Sequence, residues 1–160
     1  MLKGDALRAE AAARETCETA QAKGELGNFM WYCCNHARAL LELGREDEAE
    51  QWLARGRETA PSEERLPQML WRQVSGKVLA RRGELQGGER LAREAVALAE
   101  ETDMLNAHAD ALIDLAEVLA LGGQDARAEL DLALALYERK GNLVMAARTR
   151  SRLAELAAPR

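Results

Sequence analysis

Cys33-Cys34-Asn35-His36 holds the densest set of nucleophilic and metal-ligating side chains in this 160-residue chain. Cys33 and His36 stand three apart, a spacing that puts both on one face of a helix. Cys17, on the preceding segment, offers a third donor. Structural zinc takes four ligands, usually as paired Cys or His spacings. With three donors and no such pairs, the reading is small apolar thiols and a histidine filling core positions, with no metal and no cofactor. Cys33 and Cys34 diverge around a helix instead of pairing. Three free thiols suit a reducing, cytoplasmic setting.

Carboxylates are plentiful, 27 Asp and Glu against 22 Lys and Arg. No Gly-rich phosphate loop and no Ser/His/Asp or Cys/His set accompanies them. The runs Asp103 to Asp114 and Glu46 to Glu50 read as helix caps and solvated faces, and His108 as an exposed residue at a helix start. The expectation is a chain that is not an enzyme. Its net charge of −5 opposes nonspecific nucleic-acid binding, which needs a positive field to displace counterions, and opposes anionic membrane surfaces for the same reason. No apolar run approaches the roughly 18 residues of a membrane span. Met1-Leu2-Lys3-Gly4-Asp5 passes into an Ala/Glu/Arg segment with no apolar signal stretch, and so predicts no export.

The elements that must position these residues are helical. Ala, Leu, Glu and Arg dominate, with 3 Pro and few aromatics (Trp 3, Tyr 2, Phe 1), a palette of strong helix formers. The chain also matches itself. Ala37-Arg38-Ala39-Leu40-Leu41-Glu42-Leu43-Gly44, Gly76-Lys77-Val78-Leu79-Ala80-Arg81-Arg82-Gly83 and Ala116-Glu117-Val118-Leu119-Ala120-Leu121-Gly122-Gly123 align, so that Gly44, Gly83 and Gly123 recur every 39 to 40 residues. Each glycine ends a helix and a second helix follows, with apolar stripes Ala49, Trp52, Leu53, Gly56; Gly88, Leu91, Ala92, Ala95; and Ala128, Leu132, Ala135. The spacing predicts one domain over 1–160: a half repeat at 5–27, repeats at 28–62, 63–103 and 104–141, and a terminal helix at 142–157. The eight helices fall at 5–23, 28–43, 46–59, 63–82, 85–101, 104–121, 124–140 and 142–157.

Small residues Ala37, Gly76 and Ala116 of the first helices are expected to face Ala49, Gly88 and Ala128 of the second. A bulky residue at Ala116 or Ala128 should overpack the hairpin by about 1–3 kcal/mol. Changes at Glu50 or Arg93 should matter little, and Leu66, Met69, Leu70, Val74 and Val78 read as core.

This pattern resembles the tetratricopeptide repeat: a small residue in the first helix, a turn Gly, an Ala early in the second helix and a small residue seven positions later, often with a closing Pro. The first unit supplies Ala37, Gly44, Ala49, Gly56 and Pro61; the third supplies Ala116, Gly123, Ala128 and Ala135. The period exceeds the family's 34, and Cys33 and Leu112 stand where an aromatic is usual. Between Leu70 and Asn142, Leu79-Ala80-Arg81-Arg82-Gly83-Glu84, His108-Ala109-Asp110-Ala111-Leu112 and Leu136-Tyr137-Glu138-Arg139-Lys140-Gly141-Asn142 are similar to the carboxy-terminal repeat region of bacterial nucleotide cyclase and AAA-ATPase signalling and transcriptional regulators. The resemblance implies an all-α, right-handed superhelical solenoid of antiparallel hairpins, working as a protein-binding or intramolecular regulatory module. The cyclase and ATPase motifs are absent from this sequence.

Such a solenoid binds along the groove lined by its first helices. The register places Trp31, Asn35, Arg38, Gln73, Lys77, Asp110, Asp114, Glu117, Arg148, Arg152 and Glu155 there, with an acidic centre between basic flanks that would suit a partner of complementary charge. Trp31 is the expected anchor. The bland alternative is that these charges are solvated or pair between adjacent repeats. Self-association through the half-repeat ends is the alternative function.

Overall fold

A computed structural model describes residues 3–59 and 64–157; Pro61 and Pro159, expected to close the first repeat and the last helix, lie outside them. Among the described residues there are eight α-helices and no strand. They are α1 (Lys3–Lys23), α2 (Phe29–Glu42), α3 (Glu46–Thr59), α4 (Arg65–Arg81), α5 (Leu85–Glu100), α6 (Leu105–Leu121), α7 (Arg127–Lys140) and α8 (Leu143–Ala157). None of these helices is long and apolar enough to cross a membrane.

One device ends five of them. Gly24, Gly44, Gly83, Gly123 and Gly141 all have positive φ, the left-handed conformation a Cβ disfavours. At the first repeat turn the Gly44 N–H reaches Leu41 O at 3.1 Å and the Arg45 N–H reaches Leu40 O at 3.0 Å. The same pair of bonds recurs at Gly83, Gly123 and Gly141. These bonds satisfy carbonyls that the helix end would otherwise orphan.

Every helix packs on the next, and α2, α4 and α6 also pack side by side, whereas no such contact joins α3, α5 and α7. First helices thus form one layer and second helices the other, the packing of a helical solenoid. The core follows the stack in three clusters. One is built on Cys17, Ala20, Phe29 and Cys33, one on Met30, Leu40, Leu53 and Val74, and one on Leu112, Leu115, Leu130 and Tyr137. Several hydrogen bonds between repeats join residues 35 or 36 apart: Arg38 to Gln73, Arg81 to Glu117, Gln124 to Glu89 and Asn142 to Asn106. That separation is the sequence period less about 3.6 residues. These side-chain pairs between adjacent repeats are thus offset by about one helical turn, while Arg81 with the Leu41 carbonyl and Lys77 with Glu117 keep the full period.

The small residues behave as expected in two hairpins. Ala37 and Ala49 are fully buried. A Cβ on Gly76 would stand 2.8 Å from Gly88 O, and one on Gly88 would stand 2.6 Å from Gly76 O, so here two backbones touch directly.

The third hairpin departs from the expected register. Ala128, Leu132 and Ala135 face solvent, and Ala126, Leu130, Ala133 and Tyr137 are buried instead. The cause lies in the turn: the Asp125 carboxylate accepts the Arg127 N–H at 3.1 Å and holds a local turn that competes with helix. Helix α7 consequently starts four residues after Gly123, where α3 and α5 start two after Gly44 and Gly83. Leu66 also departs from expectation. It is not core but lies exposed beside Met69, Val74 and Val78, which are buried. His108, read as exposed, is half-buried.

Candidate functional site

The layer of α2, α4 and α6 carries most of the residues singled out from sequence. Trp31, Asn35, Arg38, Gln73, Asp110 and Asp114 line one cavity of about 660 Å³, walled further by Leu66, Leu70, Met104, Ile113 and Met145. Trp31 stays 52% exposed, and Leu66 and Met104 are exposed beside it. On the other side of α4 a second cavity of about 550 Å³ is walled by Leu53, Val78, Leu79 and Trp71, with the Arg57 guanidinium stacked on Trp71 at 4.3 Å.

Other expected groove residues lie elsewhere. Lys77 and Glu117 sit deeper along the same layer, and Arg148, Arg152 and Glu155 belong to α8 and do not line the cavity. The acidic centre expected to read a charged partner is spoken for internally. Arg38 donates to both oxygens of Asp114, at 3.0 and 2.6 Å. Lys77 Nζ lies 3.3 Å from Asp114 and 2.8 Å from Glu117, and Arg81 donates to Glu117 at 3.1 Å. Arg81 also donates to the Leu41 carbonyl near the end of α2. Lys77 and Arg81 of α4 pair with α6 in the adjacent repeat, whereas Arg38 of α2 reaches past α4 to Asp114 of α6, two repeats on. Removing water from such a cluster is tolerable only when every charge is matched.

The electrostatics follow the pairing. Burial alone would raise the Asp114 carboxyl, but Arg38 and Lys77 outweigh it and hold it below the usual carboxylate range. Burial opposes Lys77 and Arg81 at Glu117 in the same way, and again the cations win. Asp110 receives the Tyr137 hydroxyl. Gln73 accepts from Arg38 Nη2 at 3.0 Å through its carbonyl oxygen. Among the described residues its buried Nε2 has no partner, an orphan donor that costs about 1–3 kcal/mol.

The cysteine and histidine cluster lies apart from this cavity, between α1 and α2. Cys17, Cys33, Cys34 and His36 are all buried. His36 Nε2 lies 3.0 Å from Glu10 Oε1, and its ring stacks obliquely on Trp52 with centroids 4.8 Å apart. Glu10 also lies near Arg14 and Arg45. It thereby pins α1 to the start of the first complete repeat. Burial pushes the Cys34 thiol up to about 12, and the Cys17 contact with burial raises Cys33 as well. Among the described residues no three Cys, His, Asp or Glu side chains converge as a metal site.

Sequence reasoning passed over Glu10, Arg81 and Tyr137. Glu10 falls on the stripe Ala6, Glu10, Cys17, Ala20, where a lone carboxylate on an apolar face signals a buried partner. Tyr137 completes the stripe Ala126, Leu130, Ala133 at helical spacing. Arg81 carries no comparable signal, since its carbonyl partner is 40 residues away.

Fold and cavity together define a helical-repeat solenoid with an open groove on its first-helix layer. No protein-family model matches the sequence, and no curated protein does. Among solved structures the chain is similar to the crystal structure of BtubC (BKLC) from P. vanneervenii, with a TM-score of 0.61 and 14% identity over 84% of this chain and 57% of that one. The likeness is one of fold. This chain spans little more than half the length of that protein.

Proposed function

We propose that this chain is a non-catalytic module of tetratricopeptide type that holds a protein or peptide segment in the cavity over α2, α4 and α6. It would serve as an interaction or intramolecular regulatory arm, in the manner of the repeat regions of bacterial signalling and transcription regulators, in a reducing cytoplasm. The observation that carries this reading is the convergence of exposed Trp31, Leu66 and Met104 on one cavity. Exposed apolar side chains gathered in a concavity mark a binding surface. The test is a photo-crosslinking residue placed at Leu66 or, as control, at exposed Leu132 on α7, in the native host. Adducts from position 66 that vanish with Trp31→Ala support the reading; equal labelling from both positions, or labelling indifferent to Trp31, defeats it.

A second reading has its own observation. Leu143 is 75% and Val144 65% exposed on α8, with Leu156 exposed further along. This apolar end suits self-association of stacked repeats. Light scattering over a range of concentrations decides it, since a mass that never rises above the monomer removes the reading.

A further inference from the structure

The two outermost helices expose faces that the middle of the stack covers. Counted from the first residue of each helix, Ala154 of α8 holds the place of Gly76 in α4 and of Ala116 in α6. Gly76 meets the Gly88 backbone of its second helix, and Ala116 is buried. Ala154 is exposed, as are Ala147 and Leu143 on the same face. Among the described helices α8 packs on α7 alone. It is a first helix with no second helix against it.

Helix α1 is the converse. It packs on α2 alone, just as α3, α5 and α7 each pack on the first helix that follows them. Its inward stripe is Ala6, Glu10, Cys17 and Ala20. The face turned away from α2 holds Leu7, Ala11, Glu15, Glu18 and Ala22 at helical spacing, all exposed. It is a second helix with no first helix of its own.

Charge gives the pairing of these ends a direction. Residues 139–154 contain Arg139, Lys140, Arg148, Arg150 and Arg152 and no carboxylate, so α8 set against α8 of another copy would bring like charges together. Arg150 is taken by Glu138 and Arg14 by Glu10. Among the described residues, the outward charges left without a partner run Arg148, Arg152, Glu155 along α8. Read backwards along α1 they run Glu18, Glu15, Arg8, with Asp5 and Lys23 round the side of that helix. A second helix lies antiparallel to its first, so the two rows match in order and are opposite in sign.

Resting on the self-association reading above, we propose that α1 of a second copy seats on α8 as the second helix that its repeat lacks. Copies then join end to end, and the solenoid continues from one chain into the next. The contact is heterologous, and contacts of that kind extend into open chains unless their rotation closes a ring.

The test is light scattering of the full chain over a range of concentrations, at low and high ionic strength. The mass is expected to climb past the dimer, and the dissociation constant to rise by about tenfold or more with salt. Glu15→Arg with Glu18→Arg, and separately Arg148→Glu with Arg152→Glu, should each weaken association by about tenfold or more. An equimolar mixture of the two double variants should restore it, because the reversed ends match each other. In the unaltered chain, amide hydrogen exchange should slow in α1 and α8 together as concentration rises, a readout that needs no variant to fold. Association that protects α8 alone, or that the mixture fails to restore, overturns the inference while keeping self-association. A mass that stays at the monomer throughout overturns both.

Discussion

Arg38 on α2 and Asp114 on α6 form a two-point ion pair, at 2.6 and 3.0 Å, although α4 lies between their helices. The bond spans two repeat boundaries. It ties the first-helix layer together at its centre, and the Gln73 carbonyl and Lys77 ammonium of α4 join it from the middle.

Removing one partner of this network should leave buried charges unmatched. Asp114→Ala is expected to destabilise the chain by about 3–5 kcal/mol, whereas the joint replacement of Arg38, Lys77 and Asp114 by apolar residues of similar volume should cost far less. Urea denaturation of the single and combined variants checks this, and a single variant as stable as the parent would show that the network is only decoration.

Backbone contact sets the tolerance of the second hairpin. Gly88→Ala would place a Cβ 2.6 Å from Gly76 O and 3.0 Å from Ala80 N. The expected loss is at least about 1–3 kcal/mol. Ala128→Leu, at a solvent-facing position, should change stability by less than about 0.5 kcal/mol. Thermal unfolding of the two variants side by side separates these cases; equal losses would contradict the observed register of α7.

Acid should loosen the central layer. Asp114 and Glu117 have carboxyls held below their ordinary values, so their contribution is present above about pH 4 and is lost as pH falls through their folded values. His36 runs the other way. Burial lowers its pKa, but Cys17 and Glu10 outweigh burial and raise it, so its stabilisation is present below about pH 6.5 and fades as pH rises through the raised value. Melting temperature measured against pH should fall on both sides, and Glu10→Gln should flatten the alkaline limb alone.

The three thiols should resist modification while the chain is folded. Cys17, Cys33 and Cys34 are buried, and access as well as thiolate character governs alkylation. Iodoacetamide labelling read by mass spectrometry should rise with denaturant in step with the loss of helicity; prompt labelling of native protein would mean that α1 opens from α2.

Much of this architecture was legible in one sequence. Gly44, Gly83 and Gly123 announced the helix ends because positive φ is a local property, paid for or avoided at a single residue. The eight helices and the approach of Gly76 to Gly88 followed from periodicity, which is also local. Trp31, Arg38, Gln73 and Asp114 were placed on the correct layer for the same reason.

What the sequence could not decide was which of those residues a partner would meet. Arg38 and Asp114 are 76 positions apart, and their pairing depends on a one-turn offset between repeats that no single helix encodes. Those long-range pairings cancel the charge pattern, and only the packing shows Leu66 exposed. The register of α7 turned likewise on one competition, the Asp125 turn against the continuing repeat. Helix positions are fixed by bonds a few residues long, whereas the chemistry of the groove is the residue of long-range pairings, and only the tertiary structure closes those.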